Sequence, residues 1–492
     1  MRRFHRLIAG LLLGSLAAAA AADPAPRPAP ATDRIRSADL METVEWLSAP
    51  QRHGRLAGGP GYMEAAREMA RRFRDLGLRP AGEDGFFQQL DVEYEEVDSC
   101  ALALVHPDGT VHPLGLGPDF VCRGLTGAGD VAAPVTFVGY GISRPADGYD
   151  DYAGLDVRDR FVLVLKAEPP FRLDSLGWGE SLLPRPRART AAAHGARGLL
   201  LVTDSRSGPP FPIGSVLEGV GPRLAGFPSL LLSRAAAEEL LAGSGPGIAE
   251  LQAAVDSTRQ PHSRALDVAA RATVRARYEE HRPSVNVVGM IRGSDPARRD
   301  QFVVIGAHLD HVGEQAGLLF PGANDNASGA AAVAALADAF ARGAVRPRRS
   351  VIFALFSSEE AGLFGARRFV ARPPVPLDRV VAMINLDCVG VGDSIQLGSG
   401  KTSPRLWQLA RDLDARGNRL TVTETWGDGG ADATPFAEHH VPTLYFASKF
   451  SYRHLHLPGD TAATLSPALY EALVRLAYRT AWAVADGGYA GE

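Results

Sequence analysis

Side chains that commonly bind metal ions follow three predicted strands of this sequence. Each strand is a nearly continuous apolar run, interrupted only by Gly306 in the first and Asn385 in the third, which is typical of a strand buried on both faces of a parallel sheet. The runs end before His308 and Asp310, before Glu359 and Glu360, and before Asp387. Because ligands bind beyond the carboxyl ends of the strands in such sheets, we expect these side chains to meet at one edge. The chemistry that they predict is the binding of divalent cations.

Two further candidate ligands come from loops. Asp325 lies in a glycine-bounded segment directly before a predicted helix over 327–342, and His456 lies in a late polar segment. His454 is the alternative there, but the spacing His-x-x-x-Asp holds for His456 with Asp460 alone. The five predicted ligands are His308, Asp325, Glu360, Asp387 and His456. They suffice for two ions, each with one imidazole and one carboxylate plus a bridging carboxylate, and this donor set suits zinc.

The adjacent Glu359 and Glu360 are predicted to have different roles. Neighbouring side chains at a strand-to-helix junction point in different directions, so one can bind metal while the other faces a water molecule as a general base. The alternative is that two acids merely favour the N-terminus of a helix. We expect Asp310 to accept the second N–H of the His308 ring and so fix its tautomer. For His311 we expect a solvent-facing position in a loop.

This set of groups matches what the hydrolysis of an amide needs at neutral pH. The reaction requires an activated water, a polarised carbonyl and a proton shuttle. Two divalent ions that share a carboxylate can supply the first two, and a glutamate can supply the third. The candidate catalytic residues beside the ligands are therefore Glu359 and Asp310.

The composition argues against several other classes of function. The chain has 492 residues, of which 46% are hydrophobic, and this predicts two domains. A net charge of −4 gives no reason to expect nucleic acid or an anionic membrane surface as a partner. Of the three cysteines, Cys100 and Cys122 are candidates for a disulfide, but the sequence does not decide whether they pair. We expect Cys388 to be a buried, small apolar residue.

The first residues predict export. A basic start is followed by an apolar run from Leu7 to about Leu16 and by Ala20-Ala21-Ala22 as a cleavage site, which is typical of a secretory signal peptide over residues 1–22. We therefore expect the mature protein in the periplasm or outside the cell, with no stable membrane insertion after cleavage.

Hydrophobic patterns predict an α/β fold that contains an inserted domain. Residues 23–119 are predicted to begin the catalytic domain, after a flexible Pro- and Ala-rich leader over 23–33. Between 120 and 270, short β runs alternate with turns, and no cluster of His, Asp and Glu lies at the ends of buried strands. This pattern predicts an inserted binding or lid domain. A strand at 284–291 opens the block 271–492, in which strands alternate with helices. This block predicts a mostly parallel central sheet flanked by helices.

The motifs resemble those of the secreted co-catalytic di-zinc aminopeptidases, a family that includes bacterial leucyl aminopeptidases and yeast aminopeptidase Y. The resemblance covers about 280–485 and rests on five motifs in order, with Arg55-Leu56-Ala57-Gly58 also similar. It implies a zinc-exopeptidase fold of the phosphorylase/hydrolase-like type. The block at 120–270 resembles a protease-associated domain, which would shape or cover the substrate cleft.

The resemblance also implies two zinc ions, peptide substrates and a role for each ligand. The implied ligand sets are His308, Asp325 and Asp387 for one ion, and Asp325, Glu360 and His456 for the other. Asp325 would bridge the ions, and Glu359 would be the general base and acid. The implied reaction removes N-terminal residues from peptides.

The sequence departs from this family in two places. Relatives often carry Ser-Asp-His where this chain has Ala431-Asp432-Ala433, so Asp432 is placed near the site without a role. No tyrosine lies in 426–430, so the sequence does not identify the group that stabilises the oxyanion. Three alternatives on this scaffold stay open: a glutamate-carboxypeptidase type of exopeptidase, a glutaminyl cyclase, and a non-catalytic binding protein. A carboxypeptidase predicts arginines around the substrate carboxylate, and Arg453 is the candidate near the ligands.

Overall fold

A computed structural model describes residues 27–122, 124–172, 177–203, 205–206, 208–427, 429–449 and 452–492. The predicted signal peptide over 1–22 lies outside these residues. Within them, no helix combines the length and the apolar character that crossing a bilayer requires.

The described part of the chain contains ten α-helices. They are α1 (Ser37–Ser48), α2 (Pro60–Asp75), α3 (Pro184–Ala193), α4 (Arg234–Leu241), α5 (Ile248–Thr258), α6 (Gly329–Arg342), α7 (Phe364–Ala371), α8 (Pro404–Ala415), α9 (Ala433–Glu438) and α10 (Pro467–Ala485). The helix predicted over 327–342 thus begins two residues later than expected, because a non-helical segment that carries Asp325 precedes it.

Strands in the same residues form one large mixed sheet and one small hairpin. They are β1 (Arg79–Pro80), β2 (Phe87–Val105), β3 (Val111–Leu114), β4 (Phe120–Cys122), β5 (Gly129–Phe137), β6 (Ser143–Arg144), β7 (Tyr149–Asp150), β8 (Phe161–Lys166), β9 (Gly198–Thr203), β10 (Ser229–Leu232), β11 (Arg264–Ile291), β12 (Phe302–His308), β13 (Glu314–Gln315), β14 (Leu318–Leu319), β15 (Ser350–Phe356), β16 (Val380–Leu386), β17 (Ser394–Gly398) and β18 (Thr443–Lys449). The predicted α/β fold with helices flanking a central sheet is confirmed.

Four parallel strands in the middle of the catalytic half bring the predicted ligands together. β12 pairs in parallel with β15 on one side and with β16 on the other, and β16 pairs in parallel with β18. The register places His308 opposite Phe356, three residues before Glu359. Residues in β12, β15 and most of β16 are fully buried, as their apolar runs predict. The carboxyl ends of these strands therefore lie at one edge of the sheet.

A long strand joins the two halves of the molecule. β11 pairs with β5 in its first part and with β15 in its last part, and β2 follows it in antiparallel pairing from Ala269 to Val287. The predicted boundary near residue 270 falls inside this strand. Residues on either side belong to two separate apolar clusters, one around β12, β15, β16 and α6, the other around β5, β8 and β9. The limits of the insert at 120 and 270 remain a prediction.

The segment 27–33 does not extend freely from the fold, so its predicted flexibility is wrong. The backbone N–H of Arg27 donates to Asp486 at 2.7 Å, and the indole N–H of Trp482 donates to the carbonyl of Arg27 at 2.8 Å. Asp486 follows the C-terminal helix α10, so this segment packs against the end of the chain. In the other half, Cys100 and Cys122 form a disulfide between β2 and β4, with their Cα atoms 7.0 Å apart.

Helix α6 packs closely against the sheet because its first turns consist of small residues. A Cβ at Gly329 would lie 2.3 Å from both the carbonyl oxygen of Leu386 and the side-chain oxygen of Asn326. The Asn326 amide also bonds to both elements, donating to the Leu386 carbonyl at 3.0 Å and accepting from the Gly329 N–H at 2.8 Å. This close approach sets the distance between the Asp325 loop and the end of β16.

Replacing Gly329 should therefore disturb this junction. We expect Gly329→Ala to lower the free energy of unfolding in urea by about 1–3 kcal/mol, because the added methyl group has no space between two elements. Gly226→Ala is the matched control, since a Cβ there meets nothing within 4 Å. Equal stability of the two variants would contradict this account of the junction.

Candidate metal centre and active site

His308 ends β12 with its side chain 1% exposed. Its Nδ1 lies 3.2 Å from the backbone carbonyl of Asp310, and because a carbonyl can only accept, Nδ1 carries the proton. The other nitrogen, Nε2, lies 3.3 Å from Asp325 Oδ1 and 3.4 Å from Asp387 Oδ1. This contact is favourable only if Nε2 carries a proton or binds a metal cation that the two carboxylates share.

The carboxylate of Asp310 makes a different contact from the one predicted. Its Oδ1 is 3.9 Å from His308 Nδ1, too far for a hydrogen bond, so the expected side-chain contact is wrong and the backbone carbonyl takes that place. Instead, the carboxylate accepts the backbone N–H groups of Glu359 at 3.1 Å and Glu360 at 3.3 Å. Asp310 therefore fixes the turn that carries both glutamates.

Asp325 lies between the two groups of candidate ligands. Its Oδ1 faces His308, whereas its Oδ2 lies 3.0 Å from Nε2 of His456. Asp460 holds the loop in place, because its carboxylate accepts the backbone N–H groups of Asn324 at 2.8 Å and Asp325 at 3.1 Å. Each oxygen of Asp325 is thus directed at a different histidine.

The second group of donors contains one residue that the sequence analysis placed elsewhere. Glu360 has Oε2 at 2.9 Å from Nε2 of His456 and Oε1 at 2.7 Å from Nδ1 of His311. His311 is fully buried, so the expected solvent-facing position is wrong. Its backbone N–H donates to the carbonyl of Arg55 at 3.1 Å, and this contact turns the residue inward. The spacing of His308 and His311, three residues apart, was the available signal.

Glu359 points away from Glu360 and toward the other group, as predicted for neighbours in this turn. A ligand atom of Glu359 lies within 4.8 Å of those of His308 and Asp387. Burial raises the pKa of Glu359 well above that of an ordinary glutamate, and the neighbouring Glu360 and Asp432 raise it further against the opposing effect of His308. By contrast, His456 and His311 overcome the effect of burial and hold the pKa of Glu360 at about 2. The two glutamates thus differ in proton affinity as well as in direction.

Tyr445 is a contributor that sequence reasoning missed. Its hydroxyl donates to Asp387 Oδ2 at 2.6 Å from the adjacent strand β18, which leaves Oδ1 of Asp387 to face His308.

Cys388 is half-buried. Burial and the neighbouring carboxylates raise the pKa of its thiol well above the usual value. Asp432 is fully buried, and neither of its carboxyl oxygens has a hydrogen-bond partner within the described residues.

The balance of charge in this region fits bound cations. Seven acids converge here, and the groups that can oppose them are three histidines and one arginine. The acids are Asp310, Asp325, Glu359, Glu360, Asp387, Asp432 and Asp460, and the others are His308, His311, His456 and Arg55. Burial alone would lower the pKa of His308 and His456, yet the carboxylates around them raise it well above the usual value. Buried carboxylates at this density require compensation, and nitrogen and oxygen donors of this kind suit zinc.

Arg55 supplies a fixed positive charge behind the site. Its buried guanidinium donates to four backbone carbonyls, those of Leu47, Leu309, Pro321 and Gly322, at 2.7 to 2.9 Å. Leu309 lies between His308 and Asp310, and Gly322 begins the loop that carries Asp325. One side chain therefore connects the two loops that contribute to both groups of ligands.

The sequence matches a model of peptidase family M28 over residues 286–481. This range contains every candidate ligand. Residues 286–481 belong to peptidase family M28.

Curated relatives match parts of the chain and are longer than the match. Leupeptin-inactivating enzyme 1 of Streptomyces exfoliatus is 30% identical over 158 residues, which is 32% of this chain and 34% of that protein. The probable glutamate carboxypeptidase AMP1 of Arabidopsis thaliana is 27% identical over 339 residues, 61% of this chain and 44% of that protein. The chain thus matches less than half of the length of either relative.

Solved structures share the fold over nearly the whole chain. An aminopeptidase from Aneurinibacillus sp. strain AM-1 superposes with a TM-score of 0.64 at 19% identity, covering 93% of this chain and 95% of that one. The shared architecture therefore includes both halves of the molecule.

The role of Arg55 can be tested through metal affinity. Lysine keeps the charge but cannot reach four carbonyls with one nitrogen. We expect Arg55→Lys to weaken zinc binding by about 10–100-fold, as loss of contacts behind a metal site usually does, measured by competition with a chromophoric chelator.

Arg52→Lys is the matched control, because Arg52 is also largely buried in the same segment but pairs with Glu64 and stacks on Trp46. Unchanged affinity in Arg55→Lys would show that the loops are held without this side chain.

Proposed function

We propose that the chain is a secreted metallo-aminopeptidase that removes N-terminal residues from peptides with two zinc ions. The observation that carries the proposal is the position of Asp325. One of its oxygens lies 3.3 Å from His308 and the other 3.0 Å from His456, as a carboxylate shared by two ions requires. In this proposal the ligand sets are His308, Asp325 and Asp387, and Asp325, Glu360 and His456.

When bound, zinc ions at such sites activate water and polarise the carbonyl of the scissile bond. Glu359 accepts a proton from the attacking water at its carboxylate and returns it to the nitrogen of the leaving amine. Asp310 positions Glu359 through its hydrogen bond to the backbone, and Asp387 is oriented by Tyr445.

The basic and apolar first residues support a signal peptide over 1–22 and hence secretion, and the family resemblance supports a protease-associated insert over about 120–270. A carboxypeptidase of the glutamate type is the second candidate, and the relative from Arabidopsis thaliana carries that name. Such an enzyme needs arginines to hold a substrate carboxylate. Arg185 and Arg367 lie beside the site, but they pair with Glu93 and Glu438, so the aminopeptidase is favoured.

A panel of peptides tests the direction of cleavage. Unblocked, N-acetylated and C-terminally amidated forms of one peptide are incubated with the zinc-loaded protein and with protein treated with a chelator. We expect release of free amino acid from the unblocked and amidated forms, none from the acetylated form, and loss of activity on chelation. Cleavage that survives acetylation and fails on amidation would make the protein a carboxypeptidase.

The assignment of Glu359 predicts a loss of rate without a loss of metal. We expect Glu359→Gln to lower kcat by about 10²–10⁴-fold, because the amide can neither accept nor return the proton. Zinc content, measured by mass spectrometry, should be unchanged. Glu314→Gln is the control, since Glu314 contacts His53 away from the metal groups. If Glu359→Gln loses zinc as well as rate, Glu359 is a ligand and another group is the base.

A further inference from the structure

A cleft of about 500 Å³ opens beside the catalytic turn. Its floor contains Asp310, Ser358, Ala361 and Gly362. The last three flank Glu359 and Glu360 in the sequence, and Asp310 accepts hydrogen bonds from the backbone N–H groups of both glutamates. One wall is the segment 216–221 of the predicted insert, and the other is the start of α7. The cleft therefore lies between the two halves of the molecule and is continuous with the candidate active site.

The cleft collects exposed apolar side chains. The large hydrophobic residues that are exposed within the described chain are Val111, Leu217, Val220, Val345, Phe364 and Leu455. Three of these six line the cleft: Leu217 is 39% exposed, Val220 58% and Phe364 46%. A cluster of exposed apolar side chains next to a catalytic group is typical of a binding surface for an apolar ligand.

Both walls are attached to the machinery of the site. The N–H of Gly214 donates to the carbonyl of His456 at 2.8 Å, which fixes the insert segment to the loop of a proposed ligand. On the other side, the N–H groups of Gly362 and Leu363 both donate to the carbonyl of Glu359 at 2.9 Å. The walls are thus held in a defined position relative to the general base.

Two of the acidic residues that line the cleft are paired with cations. Glu93 accepts from Arg185 at 2.9 Å, and Glu95 pairs with Arg223. This pairing removes most of the attraction that these two acids would have for a basic ligand. Leu217, Val220 and Phe364 give the walls their apolar contact surface.

We propose that this cleft binds the residue that follows the scissile bond and selects apolar side chains there. The inference rests on the proposed aminopeptidase function and on the position of Glu359. That glutamate must return its proton to the leaving nitrogen, so the leaving nitrogen faces Glu359. The chain attached to this nitrogen continues past Glu359, where Ser358 and Gly362 open into the cleft. The side chain next to the leaving nitrogen then contacts the apolar walls.

The test uses three substrates that share their first residue. Two are peptides with leucine or serine as the second residue, and the third is the amide of the first residue alone. The amide lacks any residue after the scissile bond. With the zinc-loaded wild-type protein we expect kcat/KM to be at least about tenfold higher for leucine than for serine at the second position. We expect the double variant L217S/F364S to lose this preference.

Val111→Ser is the matched control, because Val111 is 50% exposed but lies on β3 outside the cleft. It should keep the wild-type preference. A second variant, L217E, places an acid in the wall without removing a buried group. We expect it to shift the preference at the second position toward lysine, mainly through KM.

The outcomes separate this inference from the proposed function. If the amide and peptides are cleaved but leucine and serine are equivalent, the cleft inference is overturned and the aminopeptidase stands. A preference that survives both L217S/F364S and L217E would place selectivity elsewhere and also overturn it. If neither the amide nor any unblocked peptide is cleaved, the proposed function fails, and this inference fails with it.

Discussion

The structure depends on the cost of burying many carboxylates at one edge of a sheet. Asp325, Glu360 and Asp387 lie within a few ångströms of three imidazoles and away from bulk water. Such a group is stable only if cations offset its charge, because buried like charges repel strongly at low dielectric. The proposed zinc ions provide that charge from in front, and Arg55 provides it from behind. The rest of the catalytic half holds the carboxylates at distances from which the zinc ions and Arg55 can both offset their charge.

Hydrogen bonds between buried charged side chains and the backbone do much of this positioning. Asp310 accepts from the turn of the two glutamates, and Asp460 accepts from the loop of Asp325. Arg55 donates to the carbonyls of the strand end and of the same loop. These contacts fix the backbone and leave the ligand side chains free to face the metal positions. Rigid loops of this kind lower the cost of organising a metal site when the ion binds.

The sequence was sufficient to predict the α/β fold, since nearly uninterrupted apolar runs such as 302–307 identify strands buried on both faces. It also indicated which side chains would meet, because His308, the glutamate pair and Asp387 follow three such runs. His311 was misplaced, since its burial depends on a contact with Arg55, which lies far away in the chain. The role of Asp310 was misassigned because side-chain and backbone acceptors of one residue cannot be told apart by spacing. The length of β11 was underestimated, because polar residues in its middle obscure the part of the strand that pairs with β2.

Tyr445 and the apolar cleft show a second limit. Tyr445 reaches Asp387 from a neighbouring strand, and Leu217 and Phe364 line one cleft from two halves of the molecule. No local pattern in the sequence indicates either arrangement. These non-local contacts are also where chemistry becomes selective, because they surround the reacting groups and determine what can approach them.

The central claim is that Asp325 is shared by two zinc ions. Anomalous diffraction at the zinc absorption edge, from crystals of the zinc-loaded protein, locates the ions and counts them. The account predicts two peaks, one beside His308 and Asp387 and one beside Glu360 and His456, with Asp325 between them. A single peak at this edge of the sheet, or two peaks that do not share Asp325, would contradict it.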